Sequence, residues 1–292
     1  MVAFFQQIIN GLSLGAVYAL LAVGYSIVYS ILSFSNFSHG GFMVIGAYAG
    51  YYAVKYFGFS LVTALVFAVL MAAIMAVIAE RCSYRPVRMR GGGARFYMIA
   101  SLGVGILIEN TVRLVIGPEY RAYPEVIPSR VINVGSFSIS IFDIVAAGIA
   151  AVGLIVLEFY INKTKTGTSI RAAACDMQTA GLMGINVDRL ISHTFFISGM
   201  LAGLAGVFIG IKYTVYPTLG NIQTKAMVGA IFGGLGSISG AIYGALIVGI
   251  LEVLVAGYIS SSVRDIFVYA VLIVVLLVKP NGLKGKTLEE KV

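Results

Sequence analysis

The chain has 292 residues, 59% hydrophobic and only 11% charged, with a formal net charge of +8 and a mean hydropathy of +0.97. A soluble domain of this length needs far more charged surface, which sets aside soluble enzymes. The basic surplus sits in loops, where it is read as topology control in a bilayer and not as a nucleic-acid surface.

The first predicted segment, 9–31, begins in "MVAFFQQIINGLSLGAVYALLAVGYSIVY". It lacks a basic lead, and its apolar stretch is too long for a cleavable signal. Gly11 and Gly15 are four apart on one face, a spacing that lets helix backbones pack closely in lipid. No charged residue occurs before Lys55, yet "FSNFSHGGF" at 34–42 gathers Ser35, Asn36, Ser38, His39 and two glycines. Ser35, Asn36 or Ser38 can cap a second segment, 39–57, whose N-terminal dipole presents a positive end. Interrupted transporter helices aim such ends at anionic groups. The break is therefore expected at the inner, cytoplasmic end of a transport pathway lined by Ser35, Asn36 and His39; a plain capped turn is the alternative. Tyr48, Tyr52 and Tyr56 recur every four residues as candidate interfacial anchors.

A third segment, 60–80, leads into "ERCSYRPVRMRGGGAR", where Arg81, Arg85, Arg88, Arg90 and Arg95 outweigh Glu80 and place the loop in the cytoplasm. Segment 96–116 carries Glu109 and Arg113 on one face beside Asn110, read as a local ion pair near the outer end in preference to a substrate group. The loop 117–140 balances Glu119 and Glu125 against Arg121 and Arg130, as suits an outside loop. Segment 141–160 follows, with Asp143 and Glu158 near its ends, and then a basic cytoplasmic loop with Lys163, Lys165, Arg171 and Arg189. There, Thr168 or Ser169 can cap a short helix containing Ala172 to Ala174. Gly184 suits its left-handed end, and Asn186 or Asp188 can cap the next helix. The shape fits docking into a partner's groove, or an ordinary capped loop.

Segment 189–211, with Gly199 and Gly203 four apart, returns the chain to the outside near Lys212 and Lys225. The tail lysines Lys279, Lys284, Lys286 and Lys291 are cytoplasmic, so the remainder crosses an odd number of times. Segments 224–235, 240–258 and 263–279 fit, with the glycine-rich "FGGLGSISGAIYG" as a turn and Gly240 and Gly244 on one face. The expected fold is an all-α polytopic membrane protein of eight or nine segments, one short or re-entrant, with its N-terminus outside and C-terminus cytoplasmic. Glu252 in "GILEVLVAG" has no local partner and is expected to face protein or water, a candidate pathway residue.

Signatures of chemistry are sparse. The only histidines, His39 and His193, lack ligand-spaced partners. "GLKGKT" at 282–287 ends like a P-loop but has the wrong glycine spacing and no preceding strand. Cys82 and Cys175 both fall in basic loops, which argues against a disulfide. No catalytic residue, metal site or cofactor is expected.

Three ordered stretches carry a resemblance to a known family. "TGTSIRAAACDMQTAGLMGINVDRLISHTFFISGMLAGLAGVFIG" closely resembles the coupling region of the permeases of branched-chain amino-acid ABC importers. "NGLSLGAVYALLAVGYSIVYSILSFSNFSHGGFMVIGAY" resembles that family's opening, and "AIFGGLGSISGAIYGALIVGILE" its carboxyl-terminal part. The resemblance spans nearly the whole chain, is to the shorter of two permease types, and implies a single transmembrane permease domain, 1–292. It implies a bacterial or archaeal inner-membrane subunit paired with a second, related permease. Two cytoplasmic ATPase subunits would bind the ATP, and an extracytoplasmic binding protein would deliver Leu, Ile or Val. Carried onto this chain, the ATPase-coupling residues in the region 163–189 are Arg171, Ala173, Asp176, Ala180, Gly184, Ile185 and Asn186. The outside loop 120–136 would meet the binding protein. A permease of the same type for urea or short-chain amides is the alternative cargo, and an ion-coupled secondary carrier the alternative class.

Overall fold

Segments this apolar must satisfy their backbone polar groups internally, which helices do without a partner. The computed structural model describes residues 2–135, 137–279 and 282–284. Lys286, Lys291 and residues 285–287 of the P-loop-like stretch lie outside the described residues. A helix covers each predicted segment: α1 (Val2–Leu32), α2 (His39–Phe57), α3 (Leu61–Ala79), α5 (Ala94–Ile116), α6 (Ile141–Lys163), α9 (Val187–Tyr213), α10 (Gln223–Gly233), α11 (Ile238–Tyr258) and α12 (Arg264–Val278). Among the described residues six helices are long and apolar enough to cross a membrane: α1, the continuous helix 61–89, α5, α6, α9 and α11. The others, α2, α10 and α12, have 19, 11 and 15 residues.

Two features differ from the reading of the sequence. The basic loop after α3 is helical, because a π-turn at Glu80–Tyr84 carries the chain directly into α4 (Arg85–Met89). The loop before α6 holds an antiparallel hairpin, β1 (Val131–Val134) with β2 (Phe137–Ser140), in register Val131 to Ser140. Gly135, with φ +62°, supplies the positive φ that a tight hairpin turn requires. The bundle thus has a hairpin end and, opposite it, an end carrying most of the basic residues.

The central helix is α1, where every residue from Tyr18 to Val23 is fully buried. Its small residues explain how: a Cβ on Gly15 would stand 2.8 Å from the Leu246 Cα of α11, and one on Gly11 2.6 Å from the Ile250 Cα. On α9, a Cβ on Gly199 would stand 2.7 Å from the Ala73 Cα of α3. Lipid gives helices no hydrophobic reason to associate, so close backbone contact must hold them. Gly15→Leu is expected to lower stability by about 1–3 kcal/mol or more through overpacking, seen as a lower unfolding midpoint in detergent. Gly148→Leu on α6, where nothing lies within 4 Å, should leave that midpoint unchanged.

Candidate functional site

The break between α1 and α2 is held by a dense polar knot. Ser33 takes a positive φ of 51° and ends α1. Phe34 then packs against Tyr84 and Tyr97, with ring centroids 5.6 and 5.3 Å away. The buried Asn36 accepts, through Oδ1, from Ser38 N (3.1 Å), Ser38 Oγ (2.8 Å) and Tyr84 OH (3.0 Å). Phe37 N donates to Ser101 Oγ at 3.1 Å, and the half-buried Ser35 offers its carbonyl 3.3 Å from the same hydroxyl. His39 is fully buried, with Nδ1 3.1 Å from Ser198 Oγ.

The cap of α2 is not the one expected. Ser38 sits at the N-cap with helical angles and makes no side-chain cap bond. Gln223, at the start of α10, does this work from across the fold: its Oε1 accepts from Gly40 N, and its Nε2 donates to Asn36 O at 3.0 Å. The depth differs too. Gly105, the middle residue of α5, faces the break, since a Cβ there would lie 3.4 Å from the Phe37 carbonyl. Ser198 is likewise near the middle of α9. The break therefore runs inward from near the basic end, where Phe34 and Asn36 meet Tyr84 and Tyr97, and reaches half-way along α5 and α9 at Phe37 and His39. Asn36→Ala strands the Ser38 amide and leaves the Tyr84 hydroxyl one partner short. It is expected to cost about 1–3 kcal/mol of stability, and Tyr84→Phe, which leaves fewer groups unpaired, should lower the unfolding midpoint less.

A second interruption meets the first. A 3₁₀ turn at Pro217–Ile222 precedes α10, and its Gly220 lies directly against the Gly40 backbone. Between α2, α5 and this turn lies a cleft of about 190 Å³. Phe37, Val44, Leu102, Ile106 and Met227 form its apolar wall; Glu109, Asn221, Gln223 and Thr224 supply polar groups. Asn36 and His39 do not line it; they brace the backbone behind it. Glu109 accepts from Arg113 Nη2 at 2.9 Å, while the Asn110 amide turns back to the Ile106 carbonyl at 2.9 Å. Much of α5 is uncovered, Ile106 being 61% and Leu114 87% exposed. A charge within the membrane costs up to about 2.5–3.5 kcal/mol on insertion scales, so the strip bearing Glu109 and Arg113 is suited to protein or water and not to lipid tails.

Glu252, for which the sequence offered no local partner, faces protein and finds a distant one. It is buried, accepting from Lys225 Nζ at 2.7 Å and Tyr18 OH at 3.0 Å, with Arg264 Nε at 3.6 Å. Lys225 also pairs with Asp265 at 2.8 Å. This network ties α1, α10, α11 and α12 together and lies apart from the cleft lining. The tyrosine row is divided as well: Tyr48 is buried and stacks on Tyr52, while Tyr56, stacked on Tyr52 from the other side at 5.4 Å, is 66% exposed as an anchor would be.

At the basic end two short helices, α7 (Lys165–Cys175) and α8 (Met177–Leu182), turn into α9. The cap of α7 is Thr164, which accepts from Gly167 N at 3.0 Å; Thr168 and Ser169 lie inside the helix and bond back to its carbonyls. Asp176 caps α8 through Gln178 N (2.9 Å) and Thr179 N (3.1 Å). Gly184 takes φ +86°, Ile185 N donates to Ala180 O at 3.1 Å, and Asn186 caps α9 through Arg189 N at 3.0 Å. Ala173 and Ala180 face inward, and the exposed Arg171 reaches Asn162 at 3.1 Å. Asp188 of α9 is gripped by Arg85 (3.3 Å) and Arg88 (2.8 Å), and Glu80 accepts from both Arg88 and Ser192. The sequence reading missed Leu182 and Met183, which stand 87% and 79% exposed at the tip of this unit. Their signal was a pair of adjacent large apolar residues directly before Gly184 in a loop rich in basic residues.

At the hairpin end, Glu125 Oε1 accepts from Ser129 N at 2.9 Å, a bond that holds its carboxyl below the usual range. Arg121 and Val215 pair through their backbones, tying this loop to the end of α9.

Residues 7–276 match the family described as branched-chain amino acid transport system, permease component. The high-affinity branched-chain amino acid transport system permease protein LivH of Escherichia coli K12 is 37% identical, covering 99% of this chain and 98% of its own. The corresponding BraD protein of Pseudomonas aeruginosa is 33% identical over the same shares. A probable branched-chain amino acid transport permease protein LivH of the archaeon Methanocaldococcus jannaschii is 29% identical over 91% of this chain and 88% of its own.

Proposed function

The chain belongs to the branched-chain amino acid transport permease family, and from that membership we propose how it works as a permease subunit of an ABC importer. It forms one side of a route by which Leu, Ile or Val crosses the inner membrane, and the cleft between α2, α5 and residues 217–227 is that side. The observation carrying this reading is the meeting of two interrupted helices half-way along the bundle, beside an uncovered, charged face of α5. Broken helices that meet at mid-depth are how transporters place polar groups in a membrane without exposing them to lipid.

The finer arrangement follows. A second, related permease covers the α5 face and closes the route. The N-terminus and hairpin end lie outside, where a binding protein delivers the amino acid to the loop 117–140. The basic end and C-terminus are cytoplasmic, giving nine segments, of which residues 217–233 form the short one. Two ATPase subunits bind the ATP and dock on α7 and α8, so no cofactor is held by this chain. The grip of Arg85 and Arg88 on Asp188 makes α4 and the start of α9 move as one with the docked unit. The whole chain serves as a single permease domain.

The test is uptake by the complete importer in proteoliposomes supplied with its binding protein. ATP-dependent entry of leucine, isoleucine and valine is expected. Preference for urea or acetamide would overturn the cargo, and transport by this chain alone without ATP would overturn the class.

A further inference from the structure

The charged rim of the cleft has a chemistry that a passive wall does not need. Resting on the permease reading above, we propose that Glu109 and Arg113 form a half-site for the zwitterionic backbone of an α-amino acid. The Glu109 carboxylate takes the ammonium group, the Arg113 guanidinium takes the carboxylate, and the aliphatic side chain lies on Leu102, Ile106 and Met227.

The geometry supplies each part. Glu109 lines the cleft, and Arg113 stands one helical turn nearer the hairpin end on the same face, their side chains 2.9 Å apart. Both side chains are partly exposed, 32% for Glu109 and 45% for Arg113, and neither has a second ion-pair partner among the described residues. One carboxylate oxygen and most of the guanidinium donors therefore remain unused, although each group can serve several partners. A zwitterion laid antiparallel along the pair gives both charges a second, charge-assisted partner and adds no net charge. Two neighbouring polar groups are already engaged: the Asn110 amide is spent on its own helix, and both ends of Gln223 are spent on bracing α2. A neutral amide has no charge to offer either residue, so this pair separates an amino acid from urea or acetamide at the permease itself.

The test uses the complete importer with Cys82 and Cys175, both exposed, replaced by serine and Asn221→Cys placed at the cleft as a reporter thiol. Leucine is expected to slow maleimide labelling of that thiol; leucinamide and 4-methylpentanoate, each lacking one charge, are not. Glu109→Gln and Arg113→Gln should each remove the protection and lower leucine uptake by about tenfold or more, the loss of one charge-assisted hydrogen bond. Glu109→Asp should retain part of both. Co-elution with the ATPase subunits certifies that each variant folds and assembles. Protection that survives both glutamine substitutions, or equal protection by leucinamide, overturns the half-site. An assembly whose unsubstituted form takes up no leucine with ATP would instead defeat the permease reading, a separate failure.

Discussion

Replacing Leu182 and Met183 together by glutamate is expected to strip the ATPase subunits from the assembly. Both side chains stand almost fully exposed at the tip of α8, with Ala180 turned inward beneath them. Apolar anchors that fill a partner's pocket carry about 2 kcal/mol or more each when truncated, so at 1.4 kcal/mol per tenfold each change alone should weaken docking about thirtyfold and the two together, where they add, about 700-fold. The measurement is co-elution of the ATPase subunits with the tagged chain, together with ATP-driven uptake. Normal co-elution would show that these side chains face nothing in the assembly. This pair makes a cleaner test than Asp176. As the cap of α8, Asp176 already costs about 1 kcal/mol of local stability when replaced by Ala, so lost docking there has two readings.

Lys225→Met is expected to be the most damaging single change in the bundle. It strips the buried Glu252 carboxylate of its 2.7 Å partner and leaves Arg264 at 3.6 Å and one tyrosine hydroxyl. Breaking a buried ion pair from one side costs about 3–5 kcal/mol, whereas replacing both partners by apolar residues is often neutral. The unfolding midpoint in detergent should fall sharply for Lys225→Met and recover in the double variant Lys225→Met, Glu252→Met. Leucine uptake by the recovered double variant would place Glu252 in the frame of the protein. Loss of uptake with recovered stability would return it to the pathway.

Much of this was legible in the sequence because membrane helices are coded locally. Apolar runs and charged interruptions placed the segments, and Gly11, Gly15, Gly199 and Gly203 marked close contacts that the structure makes. Gly184 and Asn186 were read in their roles because caps act within a few residues. The misses share a cause, which is distance along the chain. Gln223 caps α2 from 183 residues away, and Lys225 meets Glu252 from 27 residues away, so no local spacing shows either. Charge in loops gives sidedness but not depth, so it did not show that the break at 33–38 reaches inward to the middle of α5 and α9. The hairpin of β1 and β2 was passed over because a stretch of four residues per strand carries little periodic signal against the long runs around it.

The most direct test is to purify the tagged chain from its own host in mild detergent and weigh what elutes with it. A second permease and a pair of ATPase subunits are expected, together hydrolysing ATP as leucine enters proteoliposomes. A chain that elutes alone and moves solute without ATP would contradict the account at its root.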